Sequence, residues 1–156
     1  MHDRTLFVCG EDVLDRYFQV QATQDMRRRV ANCFVAIEAV TGQIAAYYTL
    51  SAASIPLVDL PADEAKRLPR YPTLPAVRIG RLAVDRRFQG RGLGAALLMN
   101  AADRTLQGDA AAFALLVDAK NDQGVEFYRH YGFRTLVSRP RTLFLPLKTA
   151  QKVFQQ

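Results

Sequence analysis

Gly90, Gly92 and Gly94 stand at alternate positions between two segments of opposite periodicity. Residues 76–84 before them form an apolar, strand-like run, and residues 95–106 after them have the spacing of an amphipathic helix. That order calls for a strand, a tight loop and a helix, and it sets the middle of the fold. Glycine lets backbone amides approach a ligand without interference from a Cβ. A helix that opens directly afterwards aims its free N–H groups and its positive dipole end at the same point. The combination is a pyrophosphate cradle, with Arg91 inside the loop and Arg86 and Arg87 just before it.

Spacing separates the loops that hold phosphates. The phosphate loop of nucleotide hydrolases requires Gly-x-x-x-x-Gly-Lys-Ser/Thr, and no Lys-Ser or Lys-Thr follows Gly94. A dinucleotide fingerprint requires Gly-x-Gly-x-x-Gly and an acidic residue about 20 positions on. Here the glycines run Gly90-x-Gly92-x-Gly94, and Asp109 and Asp118 are only loosely placed. The pattern the chain does meet is Gln/Arg-x-x-Gly-x-Gly/Ala, through Gln89, Gly92 and Gly94. It resembles the acetyl-CoA loop of the GNAT superfamily of N-acetyltransferases.

A second motif spans residues 121–133, behind the continuous apolar run 111–119 of the kind a strand buried on both faces shows. Asn121 or Asp122 can cap the helix that begins there, and Gly132 stands where a left-handed C′ residue ends it. Phe127-Tyr128-Arg129-His130-Tyr131-Gly132-Phe133 fits Phe-Tyr-x-x-x-Gly-Phe and looks like the late GNAT helix beside the thiol end of coenzyme A. Phe127 and Phe133 read as core, and Tyr131, four residues from Phe127, as packing on the same face. Tyr128 matches the superfamily position that commonly protonates the departing thiolate.

The resemblance therefore implies an acetyl-CoA site with named parts. Backbone amides of Leu82, Ala83 and Val84 would orient the thioester and pantetheine. Gln89, Gly90, Arg91, Gly92, Leu93, Gly94 and Ala95 would hold the pyrophosphate, with Asn121 added from the second motif, and Tyr128 would be the general acid. In such a reaction a neutral amine attacks a thioester, so the amine must lose a proton, an oxyanion must be stabilised and a thiolate must gain a proton. A phenol with a pKa of about 10 holds its proton at pH 7. No His or carboxylate stands where a base can be assigned; Glu38, Asp85 and Glu126 read as surface or capping charges. An α-amine, at about 7.7–8.0, is partly neutral already, whereas a lysine amine at about 10.4 needs help. An α-amine acceptor thus tolerates a site without a dedicated base.

The remaining elements are readable in order. Residues 11–25 carry apolar positions at helical spacing, residues 32–38 and 43–53 read as a hairpin around Thr41-Gly42, and residues 141–147 read as a last strand with a short tail beyond. Residues 54–75 hold five of the seven prolines and read as an irregular surface excursion. An early hairpin followed by alternating strands and helices gives an α/β mixed, mostly antiparallel sheet flanked by helices. By resemblance this is a GNAT sheet, with acetyl-CoA at the splay between strands 76–84 and 111–119. At 156 residues the chain is expected to form a single N-acetyltransferase domain, 1–156.

The resemblance narrows further. Phe7-x-Cys9-Gly10-x-x-x-Leu14-Asp15-x-x-Phe18, Phe34-Val35, Tyr47-Tyr48-Thr49-Leu50-Ser51, Arg81-Leu82-Ala83-Val84-Asp85 and Thr142-Leu143-Phe144-Leu145 look like one GNAT branch. That branch contains the toxins of bacterial toxin–antitoxin pairs, which acetylate the α-amino group of aminoacyl-tRNA and stop translation. It implies aminoacyl-tRNA as acceptor, a small DNA-binding antitoxin as partner, and a homodimer as one possible state. A small amine or a peptide or protein N-terminus is the alternative acceptor, and a non-catalytic acetyl-CoA- or RNA-binding module is the alternative of another class.

A net charge of +6 and a pI near 9.7 suit a polyanionic partner. Arg86, Arg87 and Arg91 can serve coenzyme A without invoking RNA. Arg27, Arg28 and Arg29 cannot, and they read either as an RNA contact or as a solvated helix end favoured by the dipole; Arg78 is a further candidate on the substrate side. Cys9 and Cys33 have no metal spacing, so free thiols and no metal are expected. No apolar run approaches the roughly 20 residues of a membrane span and no signal-peptide pattern opens the chain, so a cytoplasmic location is expected.

Overall fold

The computed structural model describes residues 3–154. The expected hairpin forms as β1 (Asn32–Ile37) and β2 (Ile44–Pro56), paired antiparallel. In its turn the Glu38 N–H donates to the Gln43 carbonyl at 2.8 Å and the Gly42 N–H to the Glu38 carbonyl at 2.9 Å. Phe34 faces Tyr48 and Ala36 faces Ala46, and then the register slips so that Ile37 faces Ile44. The slip leaves Ala45 over, and its carbonyl accepts the Asp85 N–H at 2.8 Å, just past the end of β3 (Thr73–Val84). The bulge thus has a use, as bulges beside functional segments commonly do.

β4 (Ala114–Asp118), β5 (Arg134–Thr135) and β6 (Thr142–Pro146) complete a six-stranded sheet in the order β1-β2-β3-β4-β6-β5. β6 is antiparallel to both β4 and β5. This is the mixed, mostly antiparallel α/β sheet the sequence predicts. The helices are α1 (Asp12–Arg16), α2 (Ala22–Arg27), α3 (Ala62–Ala65), α4 (Leu93–Gln107), α5 (Asp122–His130) and α6 (Leu147–Phe154). The chain divides into two compact units: residues up to Ser51 with Ile79–Asn100, and Ala52–Arg78 with the chain from Ala101 on.

The first unit is built on aromatic rings. Phe18 and Tyr47 stack at 4.4 Å with 7° between planes, and Phe7 meets both edge-on at 5.1 and 5.4 Å. Ala22, Ile44 and Ala83 close around them. The Tyr47 hydroxyl donates to the Leu14 carbonyl at 2.6 Å, which makes a fully buried phenol tolerable. α1 reaches α2 through a π turn over Tyr17–Gln21. Tyr17 and Phe18, at the start of this turn, both face the core.

The second unit corrects the two ends of the surface excursion read over residues 54–75, while residues 61–73 stay half-buried or exposed. β2 runs on to Pro56 and β3 starts at Thr73, and Ile55, Leu60 and Leu74 are buried with Ala114, Leu116, Leu136 and Phe144. Only a short 3-10 turn at Leu57–Asp59 and α3 stand between. Asp59 holds Ser138 and Arg139 at 3.0 and 3.2 Å, and Asp63 takes both arms of Arg134 at 2.8 and 3.0 Å. The prolines punctuate this segment without dissolving it. Pro56 ends β2, and Pro75 lies inside β3, where its carbonyl accepts the Phe113 N–H at 2.8 Å.

Three further boundaries move. The run 111–119 contributes only Ala114–Asp118 as strand, because pairing with β6 spans those five residues. The tail after β6 is helical, and its buried Leu147 and Ala150 are three apart, the one periodic signal it carries. β5 is two residues long and has no periodicity to read.

Two of the residues with positive φ end helices: Gly132 (φ 95°), as expected past α5, and Arg29 (φ 61°), past α2. A Cβ on Gly132 would meet Leu145 and Val153 at ordinary distances of 3.5 and 3.6 Å, so the cost of adding one lies in the backbone. Gly132→Ala is therefore expected to cost about 1 kcal/mol. Arg29→Gly is expected to gain a smaller amount, because glycine's extra freedom in the unfolded chain offsets part of the relief. Urea midpoints moving in opposite directions would bear this out; shifts of the same sign would overturn it.

Candidate active site

The glycine loop begins at a buried carboxylate. Asp85, 1% exposed, accepts the N–H of Val8 at 3.0 Å and the N–H of Arg87 at 2.9 Å. It also takes the Arg87 guanidinium at 2.9 and 3.1 Å, and it caps the 3-10 turn Arg86–Phe88. Burial pushes its pKa up, but Arg87 and the two backbone N–H groups outweigh burial and hold the carboxyl below its usual range. Asp85 is a capping charge, as predicted, but it is not on the surface. With both oxygens doubly engaged it has no lone pair to offer a substrate amine. Glu38 spends its carboxylate on Val40, Thr41 and the Thr41 hydroxyl in the hairpin turn, and Glu126 is exposed beside Arg129 at 3.7 Å.

Gln89 turns out to clip the loop together. Its side-chain Nε2 donates to the Cys9 carbonyl at 2.8 Å and the Val84 carbonyl at 2.9 Å. Both amide hydrogens are spent, so its part in a cofactor site is to position the loop. Arg87 is committed to Asp85, and Arg86 folds over Gly10, its Nε 3.3 Å from where a Gly10 Cβ would lie. Arg91, over the Phe88 ring at 5.5 Å, is the arginine that stays at the loop itself.

Gly90 and Gly92 both have φ 79°, and a Cβ on either would meet nothing within 4 Å. Glycine is demanded here by the left-handed backbone, and the space beside it is open. The Ala96 N–H is the first in α4 to reach a carbonyl, that of Gly92 at 3.2 Å. The N–H groups of Leu93, Gly94 and Ala95 precede it and have no intrahelical acceptor. Open space, three aligned donors, a helix N-terminus and Arg91 fit a pyrophosphate. Leu82, Ala83 and Val84 lead into this loop at the end of β3. Just upstream, the Thr49 hydroxyl accepts the Arg81 N–H at 3.0 Å, and a Cβ on Gly80 would lie 3.0 Å from that oxygen. This contact of Thr49 with the Gly80–Arg81 backbone was not legible in the sequence, since a side chain standing in for a strand carbonyl leaves no periodic trace.

The second motif supplies α5. Asn121, not Asp122, is its cap, with Oδ1 accepting the Gly124 N–H at 2.9 Å, so its side chain serves the helix. Tyr128 is 9% exposed, edge-on to Phe127 at 5.1 Å and to Phe133 at 5.4 Å. Phe127 is only half-buried, with Tyr131 against it at 5.3 Å, so the core reading holds for Phe133 more fully than for Phe127. Among the described residues nothing hydrogen-bonds the Tyr128 hydroxyl. No fully enclosed side-chain N or O lacks a partner there either, so the hydroxyl reaches accessible space. Burial pushes its pKa up to about 12. It is a neutral phenol with its proton uncommitted.

The other candidates separate. Arg78 is ion-paired with Asp118, whose second oxygen accepts the Thr142 hydroxyl at 2.8 Å, so Arg78 is engaged within the sheet. Arg27, Arg28 and Arg29 are exposed at the end of α2, and among the described residues none is in an ion pair. Cys9 and Cys33 are free thiols, and burial pushes both up to about 11, which leaves them poor nucleophiles. Among the described residues no group of three or more His, Cys, Asp or Glu could hold a metal ion, and no helix is long and apolar enough to cross a membrane.

Residues 65–142 match the Acetyltransferase (GNAT) domain family, a span that includes the glycine loop and all of α5. The chain belongs to the GNAT acetyltransferase family. It is 34% identical over 151 residues to the tRNA-acetylating toxin of Mycobacterium tuberculosis (strain ATCC 25618 / H37Rv), covering 96% of this chain and 89% of that protein. It is similar to the solved structure of AtaT complexed with acetyl-methionyl-tRNAfMet, with a TM-score of 0.87, 29% identity, and coverage of 98% of this chain and 92% of that one. A Tyr-to-Phe mutant of the AtaT toxin, bound to acetyl-CoA and the C-terminus of the antitoxin AtaR, gives a TM-score of 0.81, 26% identity, and coverage of 100% and 92%. This GNAT acetyltransferase is thus related to toxins of toxin–antitoxin systems.

The loop geometry makes Gly92→Asp a direct test of the cradle. The variant puts a side chain where φ is positive and a carboxylate where phosphates belong, so acetyl-CoA affinity should fall at least tenfold by titration calorimetry. Unchanged affinity in a folded variant would remove this loop from the cofactor site.

Proposed function

We propose that this GNAT acetyltransferase is a toxin that acetylates the α-amino group of aminoacyl-tRNA and so inhibits translation. The observation that carries the chemistry is Tyr128, a buried phenol with its proton retained and its hydroxyl unclaimed. The tRNA-acetylating relative, similar across 96% of this chain, supports the acceptor. Acetyl-CoA, the donor of the family, supplies the activated acetyl group as a thioester. The N–H groups of Leu93, Gly94 and Ala95, with Arg91, would hold its pyrophosphate, while Gln89 and Asp85 keep the loop in shape. The backbone of Leu82, Ala83 and Val84 would align the thioester, and Tyr128 would donate its proton to sulfur as the C–S bond breaks. Asp85, Glu38 and Glu126 are all otherwise engaged, which suits an acceptor amine that is already partly neutral.

In this reading the whole chain is one N-acetyltransferase domain working in the cytoplasm. Its regulator is a small DNA-binding antitoxin, as the antitoxin bound to AtaT suggests. The exposed arginines 27–29, which join no ion pair among the described residues, favour a polyanionic acceptor over a small amine. Incubation with labelled acetyl-CoA and a pool of charged tRNAs tests the proposal. Acetylation of free amines or peptide N-termini, with charged tRNAs untouched, would overturn it.

Tyr128→Phe keeps the ring and deletes the proton, so the variant should fold and bind acetyl-CoA normally while kcat falls about 10²–10⁴-fold. Raising substrate should not rescue it, because the lost interaction belongs to the transition state. Near-wild-type kcat would return Tyr128 to a packing role.

The pH profile follows from the same groups. The rate should rise through the acceptor amine's pKa near 7.7–8.0. It should show no descending limb up to pH 10, because Tyr128, raised to about 12, loses its proton only above that range. A fall below pH 10 in initial rates would assign the acid elsewhere.

Reversing Arg27, Arg28 and Arg29 to Glu should weaken binding of charged tRNA, flatten its salt dependence and leave acetyl-CoA affinity intact. Equal tRNA binding would assign the run to a solvated helix end.

A further inference from the structure

At the start of β4 the second unit holds a cavity of about 460 Å³ that takes in none of Arg78, Asn121 and Tyr128. The Leu147 N–H donates to the Phe113 carbonyl at 2.9 Å and pins the first turn of α6 there. Asn121 and α5 leave from the opposite end of β4. Phe113, Leu68 and Leu106 supply apolar walls, and Arg67, Lys148 and Lys152 supply basic ones. The one carboxylate lining the cavity, Glu64, lies 3.6 Å from the Arg134 guanidinium, which is outside it. Among the described residues no ion pair engages Arg67, Lys148 or Lys152. Nearby Asp63 partly offsets Arg67, so the excess positive charge rests mainly on Lys148 and Lys152, and an anionic ligand with a flat apolar body complements it.

Spacing narrows the ligand. Lys148 and Lys152 are one turn apart on α6, about 6 Å along the axis, a separation that suits successive phosphates of an extended single strand. A half-buried phenylalanine lining the cavity together with two leucines suits an unstacked base, and single-stranded RNA is held in general by base stacking on aromatic faces with phosphates on Lys and Arg. We infer that this cavity receives an unpaired nucleotide of the RNA acceptor. Its base lies against Phe113, Leu68 and Leu106, and its flanking phosphates lie on Lys148, Lys152 and Arg67. The inference rests on the proposed aminoacyl-tRNA acceptor and adds a contact independent of arginines 27–29.

The test uses the full chain and three variants: Lys148→Glu with Lys152→Glu, Phe113→Leu, and Lys148→Arg with Lys152→Arg as the charge-preserving control. Two readouts run in parallel. One is steady-state kinetics with a charged tRNA; the other is anisotropy of a fluorescein-labelled single-stranded RNA hexanucleotide, with a glutamate-rich hexapeptide as competitor. The charge reversal should raise KM for charged tRNA at least tenfold, leave KM for acetyl-CoA and kcat unchanged, and abolish hexanucleotide binding. Phe113→Leu should weaken the hexanucleotide several-fold, and the arginine pair should behave as wild type. Unchanged hexanucleotide affinity in the folded charge-reversed variant would overturn the assignment, as would peptide binding that the RNA cannot displace. If the wild-type chain acetylates no charged tRNA, the proposed function fails, and the hexanucleotide titration still decides the cavity.

Discussion

The carboxylate of Asp85 is the constraint on which the loop depends. It sits at the junction of three things that have no other reason to be fixed together: the N-terminal segment at Val8, the 3-10 turn after β3, and, through its own N–H, the bulge residue Ala45. A buried charge is tolerated only when its lone pairs are filled, and filling these requires Val8 and Arg87 in place at once, while the backbone bond to Ala45 ties the same residue to the hairpin. Hydrogen bonds to charged groups contribute about 1.5–3 kcal/mol each. The Arg87 contribution is the smaller part, since that side chain is 41% exposed and screened by solvent. Because the folded-state pKa is lowered, this stabilisation is present above the unfolded carboxyl pKa of about 3.9. It is lost as pH falls through the lower folded value.

Gln89 extends the same logic one step along the chain. Its amide ties the Cys9 and Val84 carbonyls, so the loop leaves β3 in a set direction before the two left-handed glycines turn it into α4. The donors that face the open space are then backbone N–H groups held by a scaffold, which need no reorganisation when an anion arrives. Tyr128 is prepared in the opposite way. Aromatic neighbours surround its ring, burial raises its pKa, and among the described residues no hydrogen-bond partner competes for the proton. The loop is over-determined by hydrogen bonds, and the phenol is kept free of them.

Net charge alone says less about the acceptor than the pattern of its compensation. Arg78, Arg87, Arg134 and Arg139 are all paired with carboxylates inside the fold. Among the described residues, the arginines at the end of α2, the three cations lining the cavity beside α6 and Arg91 at the glycine loop are examples that join no ion pair. Arg29 occupies a left-handed conformation that a glycine would adopt at lower cost, so its guanidinium is kept at some expense in backbone strain.

The strand, glycine loop and helix from β3 to α4, the capped and glycine-terminated α5, and the early hairpin were all legible in the sequence. Each is written in local rules: period-two and helical spacing, a cap three residues before its N–H, and glycine at positive φ. The glycine-built turn into α4 was legible too, because spacing of glycines is a local property. Only the tertiary structure decided which polar residues serve the fold. Gln89 and Asn121 matched site positions, yet their side chains hold a loop and a helix. Arg78 is claimed by Asp118, forty residues away in sequence. Thr49 and Gly80 shape β3 through a contact between strands that leaves no trace in either. Residues 54–75 read as surface because prolines break periodicity, whereas Ile55, Leu60 and Leu74 at the ends of that stretch are buried with Ala114, Leu116, Leu136 and Phe144 from far along the chain. Local rules act between residues a turn apart, and pairing of charges and closure of a core act between residues the chain alone does not bring together.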